Sequence, residues 1–147
     1  MADDELSRQF KALYDEWGEA IANKRHDWLE SFFTDDFYGS AQPWPGLAGG
    51  KQEMIDLDKT IEVMDATWVD VTAHQVGKEV ITLGLVKYHN EQFKPGATFG
   101  DGKPSGQEIS ERNRGKVVAY VNGWRHNGAR WQMFDHHMVS IVDEKTI

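Results

Sequence analysis

The sequence predicts an α+β fold in which helices come first and antiparallel strands second. Three observations predict it. Up to Ala66, apolar residues recur at helical spacing. From Thr67 onward, the chain either alternates apolar with polar residues or runs through β-branched ones. Gly77 and Asn127-Gly128 then interrupt that second half as hairpin turns do.

The elements follow in order. Phe10, Leu13, Trp17 and Ile21 form one apolar face, so a first helix runs from about Asp4 to Lys24. A shorter helix follows at HDWLESFFTDD, where Trp28, Leu29, Phe32 and Phe33 supply the apolar side. FYGSAQPWPGLAGG carries Gly and Pro punctuation and reads as a short strand or loop. KQEMIDLDKTIEVMD resumes helical spacing through Met54, Ile55, Leu57, Ile61 and Met64. TWVDVTAHQV and EVITLGLVKYH are strands joined near Gly77. Residues 94–106, with four Gly and two Pro, read as a long loop. QEISERNRGKVVAYVNGWRH and ARWQMFDHHMVSIVD are the last two strands, joined at Asn127-Gly128.

The totals narrow the function classes. All 147 residues read as a single domain, with 39% hydrophobic and 27% charged residues, as in ordinary globular proteins. A formal charge of −8 with scattered Lys and Arg argues against nucleic acid and against an anionic membrane surface. The acidic start MADDELSRQF is unlike a signal peptide, and no segment approaches the roughly 20 apolar residues of a membrane span. With no cysteine, neither disulfides nor thiolate chemistry enter, and a cytoplasmic location is expected. Six Trp, seven Phe and four Tyr suit a core and also a pocket for an aromatic ligand.

Metal and nucleotide signatures are missing from the sequence. It contains no H-x-x-x-H, no H-E-x-x-H and no phosphate-binding G-x-x-x-x-G-K-S/T. His136 and His137 are adjacent on an expected strand, so their side chains diverge. No metal or cofactor is expected.

WGEAIANKRHDWLESFFTDDFYGSAQPWPGLAGGKQEM and GKVVAYVNGWRHNGARW resemble the nuclear transport factor 2-like (NTF2-like) superfamily, which includes the SnoaL-like cyclases and ketosteroid isomerases. The first stretch is similar to the opening helices, an "lFtdDf"-like phrase and a Pro-Gly loop; the second is similar to the last two strands and their turn. The resemblance implies a cone-shaped half-barrel of a curved, mainly antiparallel sheet, with three N-terminal helices enclosing an apolar pocket. It also implies a homodimer or homotrimer, and it makes the 94–106 loop a candidate lid at the cone's mouth. Members include isomerases, dehydratases, lyases and noncatalytic binding modules, so the fold does not fix the reaction.

Residue-by-residue transfer partly fails. Where ketosteroid isomerases place a general-base Asp, this sequence has Gln42. Where their oxyanion hole uses a helix-one Tyr and a protonated strand Asp, it has Trp17, with Tyr14 a turn earlier, and Asn122. The Asp that dehydratase relatives pair with a His is replaced by Asn23.

With Asn122 turned into the pocket, alternation places Tyr120 and Trp124 beside it. Pairing by the same resemblance places Trp131, Met133, Asp135 and His137 on the concave face and His136 on the convex one. A one-residue slip would exchange the two sets. On this register His137, assisted by Asp135, is the expected base, with Asn122 and Tyr120 stabilising charge on oxygen. The alternative is a buried polar pair without catalysis. His74 shares a face with Trp68, Asp70 and Thr72; that face is either solvated or concave, and in the second case His74 is a further catalytic candidate. Tyr14, Trp17, Tyr38, Gln42, Trp44, Trp124, Trp131 and Met133 are the expected substrate contacts. The expected function is a cofactor-independent lyase, dehydratase or isomerase, moving protons on a hydrophobic, aromatic small molecule as in aromatic compound catabolism. The alternative is a noncatalytic small-molecule-binding or assembly module.

Overall fold

The computed structural model describes residues 2–41 and 48–143. Helix α1 (Ala2–Ala22) turns Phe10, Tyr14, Trp17 and Ile21 inward from one face, and all four are buried. Helix α2 (His26–Phe32) ends where Phe33 takes an extended backbone (φ −96°, ψ 143°) and begins β1 (Phe33–Ala41). That switch lets neighbouring Phe32 and Phe33 enter the same core, their rings 5.1 Å apart.

Strand β2 (Ala48–Gly50) leads into α3 (Lys51–Thr60). The helix predicted to reach Asp65 stops at Thr60, whose hydroxyl bonds back to the Leu57 carbonyl at 2.7 Å. Ile61 opens β3 (Ile61–Val76), which pairs along its length with β4 (Glu79–Phe93). β-branched Ile61 and Val63, with a partner strand beside them, outweigh the helical spacing of Ile61 and Met64. Gly77, at φ +60°, makes the hairpin turn.

The loop and strand predicted across residues 94–115 contain a fourth helix, α4 (Gly106–Asn113). Its start is a capping box: Ser105 Oγ accepts from Glu108 N, and the Glu108 carboxylate accepts from Ser105 N. Ile109, Ser110 and Asn113 form the buried side, and the Ser110 hydroxyl bonds the Glu91 carbonyl of β4. Strands β5 (Lys116–His126) and β6 (Trp131–Asp143) complete the chain. Asn127 Oδ1 accepts from the backbone of both Ala129 and Arg130 to fix their turn.

The six strands form one curved, unclosed sheet in the order β2-β1-β6-β5-β4-β3, parallel only between β1 and β6. The α+β half-barrel and its three N-terminal helices are as expected, and the described residues add a fourth helix, α4. Among the described residues, no helix is long and apolar enough to cross a membrane.

Single-residue bulges decide which side chains face inward, and three of them bear on the predicted residues. On β6, Trp124 pairs with Met133 but Gly123 pairs with Asp135, so Phe134 is extra. Val139 is extra between the Tyr120–Met138 and Ala119–Ser140 pairs. On β3, Trp68 pairs with Val86 and Asp70 with Leu85, so Val69 is extra. Each bulge reverses the parity of the strand beyond it and adds local bend.

Candidate functional site

The helices and the concave face enclose a cavity of about 600 Å³. Trp17, Met64, Trp68, Val86 and Met138 line its apolar part. Asp58, Tyr88, Glu91, Asn113, Tyr120 and His136 supply the buried polar groups.

Helix α3 delivers Asp58 from the turn before the helix ends. Burial pushes its carboxyl up to about 7, partly offset by the Trp17 indole N–H, which donates to Oδ2 at 3.0 Å. Strand β4 delivers Tyr88 and Glu91. Burial likewise raises Glu91 to about 7, against the lowering effect of Asn113 Nδ2, which donates to it at 3.2 Å. The Tyr88 and Tyr120 hydroxyls are hydrogen-bonded at 2.9 Å, and burial raises both phenols above their ordinary range. That pair holds two hydroxyl hydrogens and uses one internally, leaving one for a ligand oxygen.

His136 lies between aromatic rings, stacked on Tyr120 (4.3 Å, 18°) and edge-on to Trp17 at 5.1 Å. Burial, helped by nearby His137, pushes its pKa down to about 3, so the imidazole is neutral. Behind it runs a buried chain of polar groups. The Asn122 carbonyl meets His136 Nδ1, and the Asn122 amide donates to the Tyr14 hydroxyl. Tyr14 bonds Thr82 Oγ1 at 2.6 Å, and the Trp124 indole donates to the same oxygen at 2.9 Å. Facing a carbonyl, Nδ1 carries the ring hydrogen, and Nε2 presents a lone pair to the cavity.

No family model matches the sequence, and no curated protein is significantly similar to it. Solved structures are. An NTF2-like protein from Cytophaga hutchinsonii superposes with a TM-score of 0.63 at 14% identity, over 92% of this chain and 93% of that one. An inferred dehydratase of the NTF2-like family from Streptomyces avermitilis gives 0.62 at 18% identity, over 92% and 95%. The chain has the NTF2-like fold. An inferred Ca/calmodulin-dependent kinase II association domain from Exiguobacterium sibiricum also matches, with a TM-score of 0.66 at 10% identity over 95% and 94%. At these identities the likeness concerns architecture alone.

Within this NTF2-like fold, the sequence-predicted residues take different places. Tyr120 and Trp17 line the cavity. Asn122, Tyr14 and Trp124 point inward as expected but stand behind His136 as its hydrogen-bonded support. Met133 and Trp131 belong to the core near Phe10 and do not line the cavity. Gln42 and Trp44 lie outside the described residues.

The remaining placements are corrected. Asp135 and His137 do share a face, Oδ2 to Nε2 at 3.4 Å, but it is the convex one, about a third exposed. The Phe134 bulge reverses β6 between Met133 and Asp135, so His136 enters the cavity and His137 leaves it. On the outer side His137 Nδ1 bonds the Ser40 hydroxyl at 2.8 Å. Tyr38, on the same side, is 53% exposed and is not among the residues that line this cavity. His74 is exposed: the Val69 bulge puts Val71 and Ala73 inside in its place.

Sequence reasoning missed His136, Asp58, Tyr88, Glu91 and Asn113. Tyr88 was findable, since Val80, Thr82, Gly84, Val86 and Tyr88 keep a strict alternation and all face inward. Asn113 was findable from the S-x-x-E capping box that starts α4. Asp58, in DLDK on an amphipathic helix, has the look of a solvated residue.

Proposed function

We propose that this protein is a cofactor-independent enzyme, a lyase, dehydratase or isomerase, that moves a proton on a hydrophobic, aromatic small molecule. One observation carries the reading. A buried carboxyl with a pKa near neutrality, Asp58, faces the same apolar cavity as the Tyr88–Tyr120 hydroxyl pair and neutral His136.

A carboxyl tuned to about 7 is half ionised at neutral pH, which suits a general base that must also return a proton. In this reading Asp58 removes a proton beside a carbonyl of the bound molecule. The C–H electron pair becomes a C=C bond and the carbonyl electrons move to oxygen. Tyr120, backed by Tyr88, donates a hydrogen bond to that oxygen. His136 Nε2 accepts from a substrate hydroxyl and orients it. Return of the proton from Asp58 to another carbon gives isomerisation; its delivery to a β-hydroxyl, which leaves as water while the enolate electrons re-form the carbonyl and a C=C bond, gives dehydration. The inferred dehydratase with the same fold is consistent with this class of chemistry.

The test is exchange of α-protons of aromatic ketones and aldehydes in D₂O, followed by NMR. Asp58→Asn is expected to slow exchange at least about 10²-fold with the fold retained. Equal rates for wild type and variant reject Asp58 as the base. Micromolar binding without exchange leaves the noncatalytic binding module.

A further inference from the structure

The cavity has a second polar corner, which the proton-transfer reading does not use. It is made by Glu91 of β4 and Asn113 at the end of α4, both lining the cavity and both buried. Asn113 Nδ2 donates to Glu91 Oε1, and this leaves Asn113 Oδ1 buried without a hydrogen-bond partner among the described residues. Buried amide oxygens rarely go unmatched, and each such atom calls for an explanation. The corner is also held in place. The Ser110 hydroxyl bonds the Glu91 carbonyl, and Gly106 packs α4 against Phe93 where a Cβ would collide.

With Glu91 ionised, this corner offers acceptors only, a carboxylate and the unmatched amide oxygen, and Tyr88 and Phe93 line the cavity with them. A group that fits must bring several N–H donors and favour a negative neighbour, while the rest of the ligand meets aromatic surface. An alkyl ammonium does this, since it has three donors, a positive charge and an affinity for ring faces. The acids at the helical border of the cavity, Glu53 and Asp56, bias approach the same way, against a single cationic lining residue among the described ones, Lys103.

From this arrangement we infer that the cavity takes an amine-bearing hydrophobic ligand, its ammonium group seated between Glu91 and Asn113 Oδ1 and its aromatic body against Trp17, Trp68 and Tyr88. The inference rests on the reading of this cavity as the substrate site. It adds the charge class of the substrate and leaves Asp58 free for proton transfer.

The experiment is calorimetric titration at neutral pH with three probes of one shape: 2-phenylethylamine, 2-phenylethanol and 3-phenylpropanoate. The amine is expected to bind at least about tenfold tighter than the alcohol, the scale of a hydrogen bond to a charged group, and the carboxylate weakest. Glu91→Gln keeps the side-chain shape and is expected to bring the amine down to the alcohol's affinity, leaving the alcohol within about twofold. If amine and alcohol bind equally, or the preference survives in Glu91→Gln, the ammonium seat is wrong while the cavity remains a ligand site. If none of the three binds, the cavity reading fails with it.

Discussion

Asn122 and His136 stand opposite one another on β5 and β6, and the Asn122 carbonyl faces Nδ1 of the His136 ring. The imidazole is thereby held as the Nδ1–H tautomer, its other nitrogen free toward the cavity. Nitrogen-15 NMR of the histidine rings is expected to show one neutral Nδ1–H ring that does not titrate between pH 8 and about 4, following the depression of His136 to about 3. Titration of every histidine near 6.5 would contradict this placement.

Asp58 couples the site to stability. Its folded pKa of about 7 lies above the ordinary carboxyl value near 4, so the folded state holds the proton more tightly. The resulting stabilisation is fully present below about pH 4 and is lost as pH rises through about 7. Glu91 acts in the same direction, and His136, with its lowered value, acts in the opposite one between about 3 and 6.5. Comparing Asp58→Asn with wild type cancels the His136 contribution, and that of Glu91 in part, since its charge helps to raise Asp58. The variant is expected to match wild type near pH 4 and to exceed it by roughly 2–4 kcal/mol at pH 8 in urea unfolding. A variant less stable than wild type at pH 8 would show that the ionised carboxylate is well compensated.

Tyr120 and the outer pair should respond oppositely. Tyr120→Phe removes the hydroxyl that meets Tyr88 and is expected to lower kcat by about 10²-fold, with KM changing little. His137→Ala and Asp135→Ala remove the contact between the two on the convex face, and the first also removes the Ser40 hydrogen bond, so turnover should stay within about twofold and stability within about 1 kcal/mol. Steady-state kinetics and thermal melts on the three variants separate the two faces of β6.

Gly123 permits the bulge that sets the parity of β6. A Cβ there would run into the Phe134 ring and come within 2.7 Å of Asp135 Oδ1. Gly123→Ala is therefore expected to destabilise the protein by about 1–3 kcal/mol and to disturb His136, visible in its ring resonances. Unchanged stability and unchanged His136 signals would show that the bulge accommodates the methyl group.

The α+β order, the hairpin turns and the shared face of Tyr120, Asn122 and Trp124 were legible because each rests on local spacing or turn chemistry; that this face is the inner one came from the family resemblance. The failures share a cause. Alternation counts residues, and a bulge uses one without leaving a mark in composition, so Phe134 reversed the expected face of His137, and Val69 turned outward the His74 whose face the sequence left open. The end of α3 was obscured because Ile61 and Met64 satisfy helical spacing and also face inward from a bulged strand. Asp58 became legible only when the fold showed what covers it.

The Phe134 bulge leaves two histidines one residue apart on opposite sides of a wall a single peptide layer thick. Through that wall the charge of His137 is felt by His136 and helps to depress its pKa. The ring in the dry chamber thus registers the electrical state of a surface it never touches. One peptide bond therefore separates a ring held neutral in an apolar chamber from a ring that faces Asp135 and solvent.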